Sequence, residues 1–278
     1  MRLRLKLLAA MIALVLPGSA ASAANLPRLV SMNVCTDQLV LTLADPEQIL
    51  GLSRFARDGW QSKAGDLSRY PVLSGGAEDI LLIRPDVVVV SAFDKRSTRE
   101  LLKAKGLHLA ELAVPRTLDE ARQQIREAGD ITGHPDRAAA EIARLDAALA
   151  RARQAVSARQ YRVLPLSRRG WVAGSDSFVG SLLGDIGLRS AAGDLGFSFG
   201  GFASLESIVN LRPDFLVVSQ AGDRARDDGQ AFLLHPALER FYPPEKRIVV
   251  PERMTECGGV LLADALDALT AELKRVGR

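Results

Sequence analysis

A chain of 278 residues with 47% apolar composition is long enough for two domains of ordinary size and too apolar to remain disordered. Its 36 basic residues barely outnumber its 33 acidic ones, and Arg2, Arg4 and Lys6 at the very start account for the whole excess. The rest of the chain therefore gives no charge argument for binding nucleic acid or an anionic membrane.

Those three cations precede the apolar run Leu7 to Leu16, followed by Pro17-Gly18 and the small residues Ala21-Ser22-Ala23. This pattern describes a secretory signal peptide over residues 1–23, with an apolar run too short to cross a bilayer. The mature chain is expected in the periplasm, with no membrane insertion. Cys35 and Cys257 are the only cysteines. In an oxidising compartment they could be bridged or could stay as two buried thiols, and sequence does not choose between these.

After the leader, Arg28 to Met32 reads as a strand, Thr36 to Ala44 as a helix, and Ile49 to Leu52 and Val72-Leu73 as short strands. Glu78 to Ser91 then predicts a helix to Ile83, a stop at Arg84-Pro85-Asp86 and a buried strand. The phrase returns from Glu206 to Ser219 at a constant offset of 128, with Glu206 matching Glu78 and Ser219 matching Ser91. Two copies of one helix–turn–strand unit predict two similar α/β lobes. Ser97 to Lys105 reads as a helix closed by Gly106, and Leu107 to Leu112 as a strand.

Pro135 suits a first helical position, and the Ala- and Arg-rich stretch Asp136 to Ala158 places Ile142, Leu145, Leu149 and Val156 on one face. Such a helix is about 35 Å long. It makes 134–160 the link between an N-terminal lobe (24–133) and a C-terminal lobe (161–278). The second lobe reads as strand Tyr161 to Leu166, helix Phe178 to Ile186, a Gly/Phe-rich loop Gly196 to Phe202, the repeat, strand Arg247 to Val250 and helix Val260 to Val276. The expected class is α/β: two three-layer lobes with mostly parallel sheets, joined by one long helix, with a ligand cleft between them.

Parallel α/β sheets bind ligands beyond the carboxyl ends of their strands. Those positions hold Asn33, the arginines Arg54, Arg57, Arg96, Arg168, Arg169, Arg224, Arg226 and Arg253, and the aromatics Phe55, Phe93 and Trp171; Trp60 and Phe197, Phe199 and Phe202 could line the same cleft. Guanidinium forks beside flat aromatic faces suit a bulky ligand with anionic edges and an extended ring surface. Any single loop arginine is better explained by solvation and any single aromatic by core packing; it is the arginines as a group, with Trp171 foremost among the aromatics, that point to a site. No hydrolase elbow, zincin helix, P-loop or dinucleotide fingerprint occurs, and His108, His134 and His235 are scattered. No catalytic residue, metal site or cofactor is therefore expected. Glu78 and Glu206 open the repeated helices, where a carboxylate suits the dipole. One per lobe, they also offer paired acidic contacts to a two-fold symmetric basic partner.

The opening Arg28 to Leu39, both E-x-I-x-x-(I/L)-R-P-D segments, the long central helix and Asp176 to Gly187 together resemble the class III periplasmic substrate-binding proteins of ABC importers, which carry ferric siderophores, haem or cobalamin. The resemblance implies two lobes that clamp a ligand and close through a small angle. It also implies that Glu78 and Glu206 pair with arginines of a dimeric permease. Tyr70, Tyr161 and Tyr242 are not convincingly at strand ends, which counts against haem, and the arginine-rich rim favours a ferric siderophore slightly over cobalamin. The alternative is an exported chelatase-like enzyme on a similar fold, which would need a catalytic His or Glu in the cleft.

Overall fold

The computed structural model describes residues 26–58, 66–156, 160–219 and 228–277. The leader, Trp60, Arg224 and Arg226 lie outside the described residues. Strands β1 (Leu29–Ser31), β2 (Ile49–Gly51), β3 (Val87–Ser91) and β4 (Leu109–Leu112) form a parallel sheet in the order β2-β1-β3-β4. Helices α1 (Val34–Leu43), α2 (Ala77–Ile83), α3 (Arg96–Ala104) and α4 (Leu118–Thr132) cover it. Strand β3 shows why its valine run is continuous: Val87 and Val89 enter one core while Val88 and Val90 enter another on the opposite face. A strand covered on both faces needs no polar alternation.

After α5 (Pro135–Val156), the second sheet contains β5 (Arg162–Leu166), β6 (Trp171–Ala173), β7 (Arg189–Ser190), β8 (Gly200–Phe202), β9 (Phe215–Val218) and β10 (Arg247–Val249), in the order β10-β9-β5-β6-β8 with β7 beside β5. Its helices are α6 (Phe178–Asp185), α7 (Leu205–Leu211), the short α8 (Asp228–Ala231), α9 (Pro236–Phe241) and α10 (Leu262–Val276). Strands β10, β9 and β5 are parallel, whereas β6 runs antiparallel to both of its neighbours, β5 and β8. The loop expected over Gly196 to Phe202 is thus corrected, because Gly200 to Phe202 pairs with Trp171 to Ala173 as an edge strand. Its glycines hid it from a propensity reading, yet they serve packing: a methyl group on Gly200 would sit 2.5 Å from the indole of Trp171.

The repeat has a common physical basis. Residues before proline avoid the right-handed helical region, so α2 and α7 both end on an arginine in the left-handed conformation, Arg84 (φ 52°) and Arg212 (φ 50°). The aspartate after each proline then staples the next strand to its neighbour. The Arg28 backbone N–H donates to Asp86 Oδ2 at 2.8 Å, and the Arg162 backbone N–H donates to Asp214 Oδ2 at 2.8 Å. Helix α5 lies against both α4 and α10, burying Leu145, Leu149 and Val156, and Arg144 reaches Asp264 on α10 at 3.2 Å. It starts at Pro135, directly after Gly133 closes α4 in a left-handed conformation.

Candidate functional site

The carboxyl ends of the two sheets are tied together by the chain that follows β10. The Gln38 side-chain amide on α1 donates to the Arg253 carbonyl at 3.4 Å, and Cys35 is joined to Cys257 by a disulfide with Cα atoms 5.1 Å apart. Cys35 lies just beyond β1 and Cys257 beyond β10, so this bond brings the two strand-end regions into one neighbourhood.

On the first sheet this edge is a closed polar network. The Asn33 Oδ1 accepts from the backbone N–H groups of Cys35 and Thr36, capping α1, while its Nδ2 donates to Ser91 Oγ at 3.2 Å and Asp94 Oδ2 at 2.7 Å. Asn33, placed by sequence among ligand contacts, has its polar atoms engaged by the fold. Asp94 also accepts from the Ser91 N–H at 2.8 Å, and the Phe93 N–H donates to Ser91 Oγ. This braced turn presents the ring of Phe93 with 83% of the residue exposed. Asp94 was invisible to sequence reasoning; the Ser91 that ends the repeat was the one available signal.

Beneath the network Asp37 is fully buried, accepting from the Ser53 N–H at 3.0 Å and the Ser53 hydroxyl at 2.6 Å. Burial dominates over the hydroxyl and amide donors and pushes its carboxyl up to about 6. Ser53 in turn places Arg54 and Phe55, whose guanidinium lies 4.7 Å from the phenyl centroid. Two rim arginines have intramolecular roles. Arg57 donates to the carbonyls of Leu67 and Tyr70, and Arg96 pairs with Glu100 at 2.6 Å one helical turn away.

The second sheet offers a different edge. Beyond β5, Arg168 and Arg169 are exposed, and the chain turns back into β6 at Trp171. Trp171 meets Phe202 of β8 edge-on with ring centroids 5.0 Å apart, and Phe199 stands beside them, 73% exposed. These rings form an aromatic wall. A cavity of about 380 Å³ adjoins it, with Trp171 and Phe199 in its lining beside side chains of the sheet, α6 and α10. Arg253 lies in the loop that crosses to α1, next to Thr255 and Glu256 at the cavity edge. Phe197 instead packs against the core of this sheet, its ring against Gly201.

No tyrosine or histidine lines the cavity. Tyr70 is buried in the first core, while Tyr161 and Tyr242 line a separate hollow below the amino end of β9. His134 bonds to Gln48 at 2.9 Å, His235 caps α9, and His108 lies ahead of β4. Among the described residues no cluster of His, Cys, Asp and Glu could hold a metal ion, and no helix is long and apolar enough to cross a membrane. Glu78 and Glu206 are exposed in the first turns of α2 and α7. Each helix turns straight back into a parallel strand, so both carboxylates lie toward the carboxyl edge of their own sheet.

Two α/β sheets bridged by a long helix, with ring surfaces at the carboxyl edge of each, are the layout of a binding protein. Residues 29–243 match the Periplasmic binding protein family, and the chain belongs to it; this is a family of binding proteins and not of enzymes. A Cobalamin-binding protein of Halobacterium salinarum is 25% identical over 224 residues, covering 77% of this chain and 59% of that protein, so the chain spans about three fifths of that relative. The periplasmic heme-binding protein RhuT of Roseiflexus sp. RS-1, in apo form, is similar in fold with a TM-score of 0.70 and 24% identity, over 90% of this chain and 99% of that one. The periplasmic vitamin B12 binding protein BtuF of Vibrio cholerae gives a TM-score of 0.65 at 15% identity, over 91% of this chain and 98% of that one.

Proposed function

We propose that this protein is the periplasmic receptor of an ABC importer and that its cargo is a corrinoid, held between the aromatic wall of the second sheet and Phe93 on the first. One observation carries the choice: exposed rings at both strand edges, with no Tyr or His in the lining of the cavity and Tyr70 buried. The segments 59–65 and 220–227 contain neither residue type. A receptor that grips haem through its iron uses a protein side chain as axial ligand. A corrinoid or a ferric siderophore arrives with its metal already saturated and asks only for shape and surface. The curated relative's cobalamin ligand supports the corrinoid.

A ferric siderophore is the second reading, supported by Arg54, Arg168, Arg169 and Arg253 around the same region. It is weaker than the arginine-rich sequence suggests, because Arg57 and Arg96 are engaged within the fold. Glu78 and Glu206 serve as the docking pair for the permease dimer, setting orientation more than affinity. Titrating the purified protein with cyanocobalamin, a ferric catecholate and haemin, followed by calorimetry, tests the assignment. Tight one-to-one binding of cyanocobalamin alone is the expected result; preference for the ferric catecholate transfers the assignment to siderophores, and preference for haemin removes it.

A further inference from the structure

The cavity beside the aromatic wall has a control within the molecule. At the offset of 128, residues 78–91 and 206–219 share their burial position by position except at Val217 and Ser219. Their counterparts Val89 and Ser91 are 1% and 4% exposed, and Val89 belongs to the core that includes Leu39 and Leu43 of α1. Val217 and Ser219 instead face the cavity, together with Leu182 and Leu183 of α6 and Leu266 and Leu269 of α10. The same strand of the same motif is sealed in one lobe and open in the other. A hollow between the aliphatic faces of α6, α10 and the sheet is a place where an apolar group of a ligand gains by burial.

We propose that this cavity is a subsite for an uncharged, flat aromatic group carried by the cargo, with the benzimidazole-type base of a complete corrinoid as the fitting chemistry. This rests on the corrinoid reading above. The walls carry aliphatic and aromatic side chains, with hydroxyls at Ser167, Ser177, Ser219 and Thr255 and a carboxylate at Glu256. A group entering must therefore bring few unsatisfied donors or acceptors. A base bound to cobalt through one nitrogen and to its ribose through the other presents only carbon–hydrogen edges. Trp171 belongs to both the wall and the cavity lining, so a macrocycle against the wall holds a group projecting from its face at the opening.

The test compares cyanocobalamin with dicyanocobinamide, which lacks the base, and adds free 5,6-dimethylbenzimidazole as a separate probe. Each is titrated against the wild type and two cavity-filling variants, Ala265→Phe and Val179→Phe, the second serving if the first fails to fold. The wild type should prefer cyanocobalamin over cobinamide by about tenfold or more, the scale of burying one ring system. The free base should quench tryptophan emission saturably. In the filled variants, with melting temperature unchanged or raised, the preference and the quenching should both disappear. If the wild type makes no distinction, or a folded filled variant keeps the full preference, the subsite is refuted. If neither corrinoid binds but the free base binds and is lost on filling, the corrinoid assignment falls and the cavity remains an aromatic subsite. If the free base also fails, both fall.

Discussion

Replacing Asp37 by asparagine should reverse part of this protein's response to acid. In the unfolded chain the carboxyl titrates near 3.8, and in the fold near 6, because burial penalises its charge more than the Ser53 donors favour it. The gap of roughly two pKa units corresponds to about 3 kcal/mol. For a carboxyl whose folded value is raised, the native state binds the proton more tightly than the unfolded chain. Protonation therefore favours folding, and the cost of the buried charge, complete above about pH 7, is relieved as pH falls from there toward pH 4. In the Asp37→Asn variant the amide oxygen would still accept from the Ser53 N–H, and no charge would remain to desolvate. Relative to wild type, the variant should gain about 2 kcal/mol between pH 4 and pH 7.5, and titrating groups other than the nearby Asp94 cancel in that difference. Urea unfolding followed by circular dichroism at four pH values, with the disulfide intact, measures it. A difference between the two proteins that stays flat across this range would show that burial does not control Asp37.

Serine at both Cys35 and Cys257 frees a loop whose ends are 222 residues apart and should cost about 5 kcal/mol in the chain-entropy account, read from the urea midpoint; a loss under about 1 kcal/mol would count against that account. Phe93→Ala should weaken cargo binding by roughly tenfold with melting unchanged, because the ring is exposed, and equal affinity would remove it from the site. Asn33→Ala should cost about 1–2 kcal/mol of stability through the lost cap and also weaken binding by loosening the Phe93 turn. Thermal melts and titration on the same preparation separate these two effects. Glu78→Arg with Glu206→Arg should abolish cargo uptake by cells while leaving cargo affinity and melting as in wild type; parallel loss of affinity would place the carboxylates in the cleft instead.

The parallel strands and the helices between them were legible because each copy of the repeat carries its own stop signal and its own apolar run. Val87 to Val90 could be read as a strand covered on both faces, and Pro135 as a helix start, since local residue chemistry decides both. Strands β6 and β8 were not legible, because Gly200 and Gly201 are required by the rings of Trp171 and Phe197, which reach them only after folding. Residue type alone made Asn33 a plausible ligand contact and the arginines a uniform rim. Only geometry shows that Asn33 braces a turn and that Arg57 and Arg96 are engaged elsewhere. The cavity could not be foreseen at all: it is volume left by the packing of α6 and α10, and no residue spells it.

The two lobes agree at one end and diverge at the other. At the amino ends of their strands both use the same device, a left-handed arginine, a proline and an aspartate that holds the backbone of the strand alongside. Nothing there needs to vary, since its only task is to close the unit. At the carboxyl ends the first sheet is sealed by Asn33, Ser91, Asp94 and Asp37, with Phe93 the one large exposed ring among its described residues there, while the second opens into aromatic faces and a mainly apolar hollow. A polar network in which partners are already paired resists movement, because shifting any member strands a buried group. The first lobe is then suited to be the fixed jaw and the second to supply the apolar contact that distinguishes one cargo from another. Substitutions around Trp171 and α6 should accordingly alter which chelate is accepted, and substitutions in the Asn33 network should alter how firmly any of them is held.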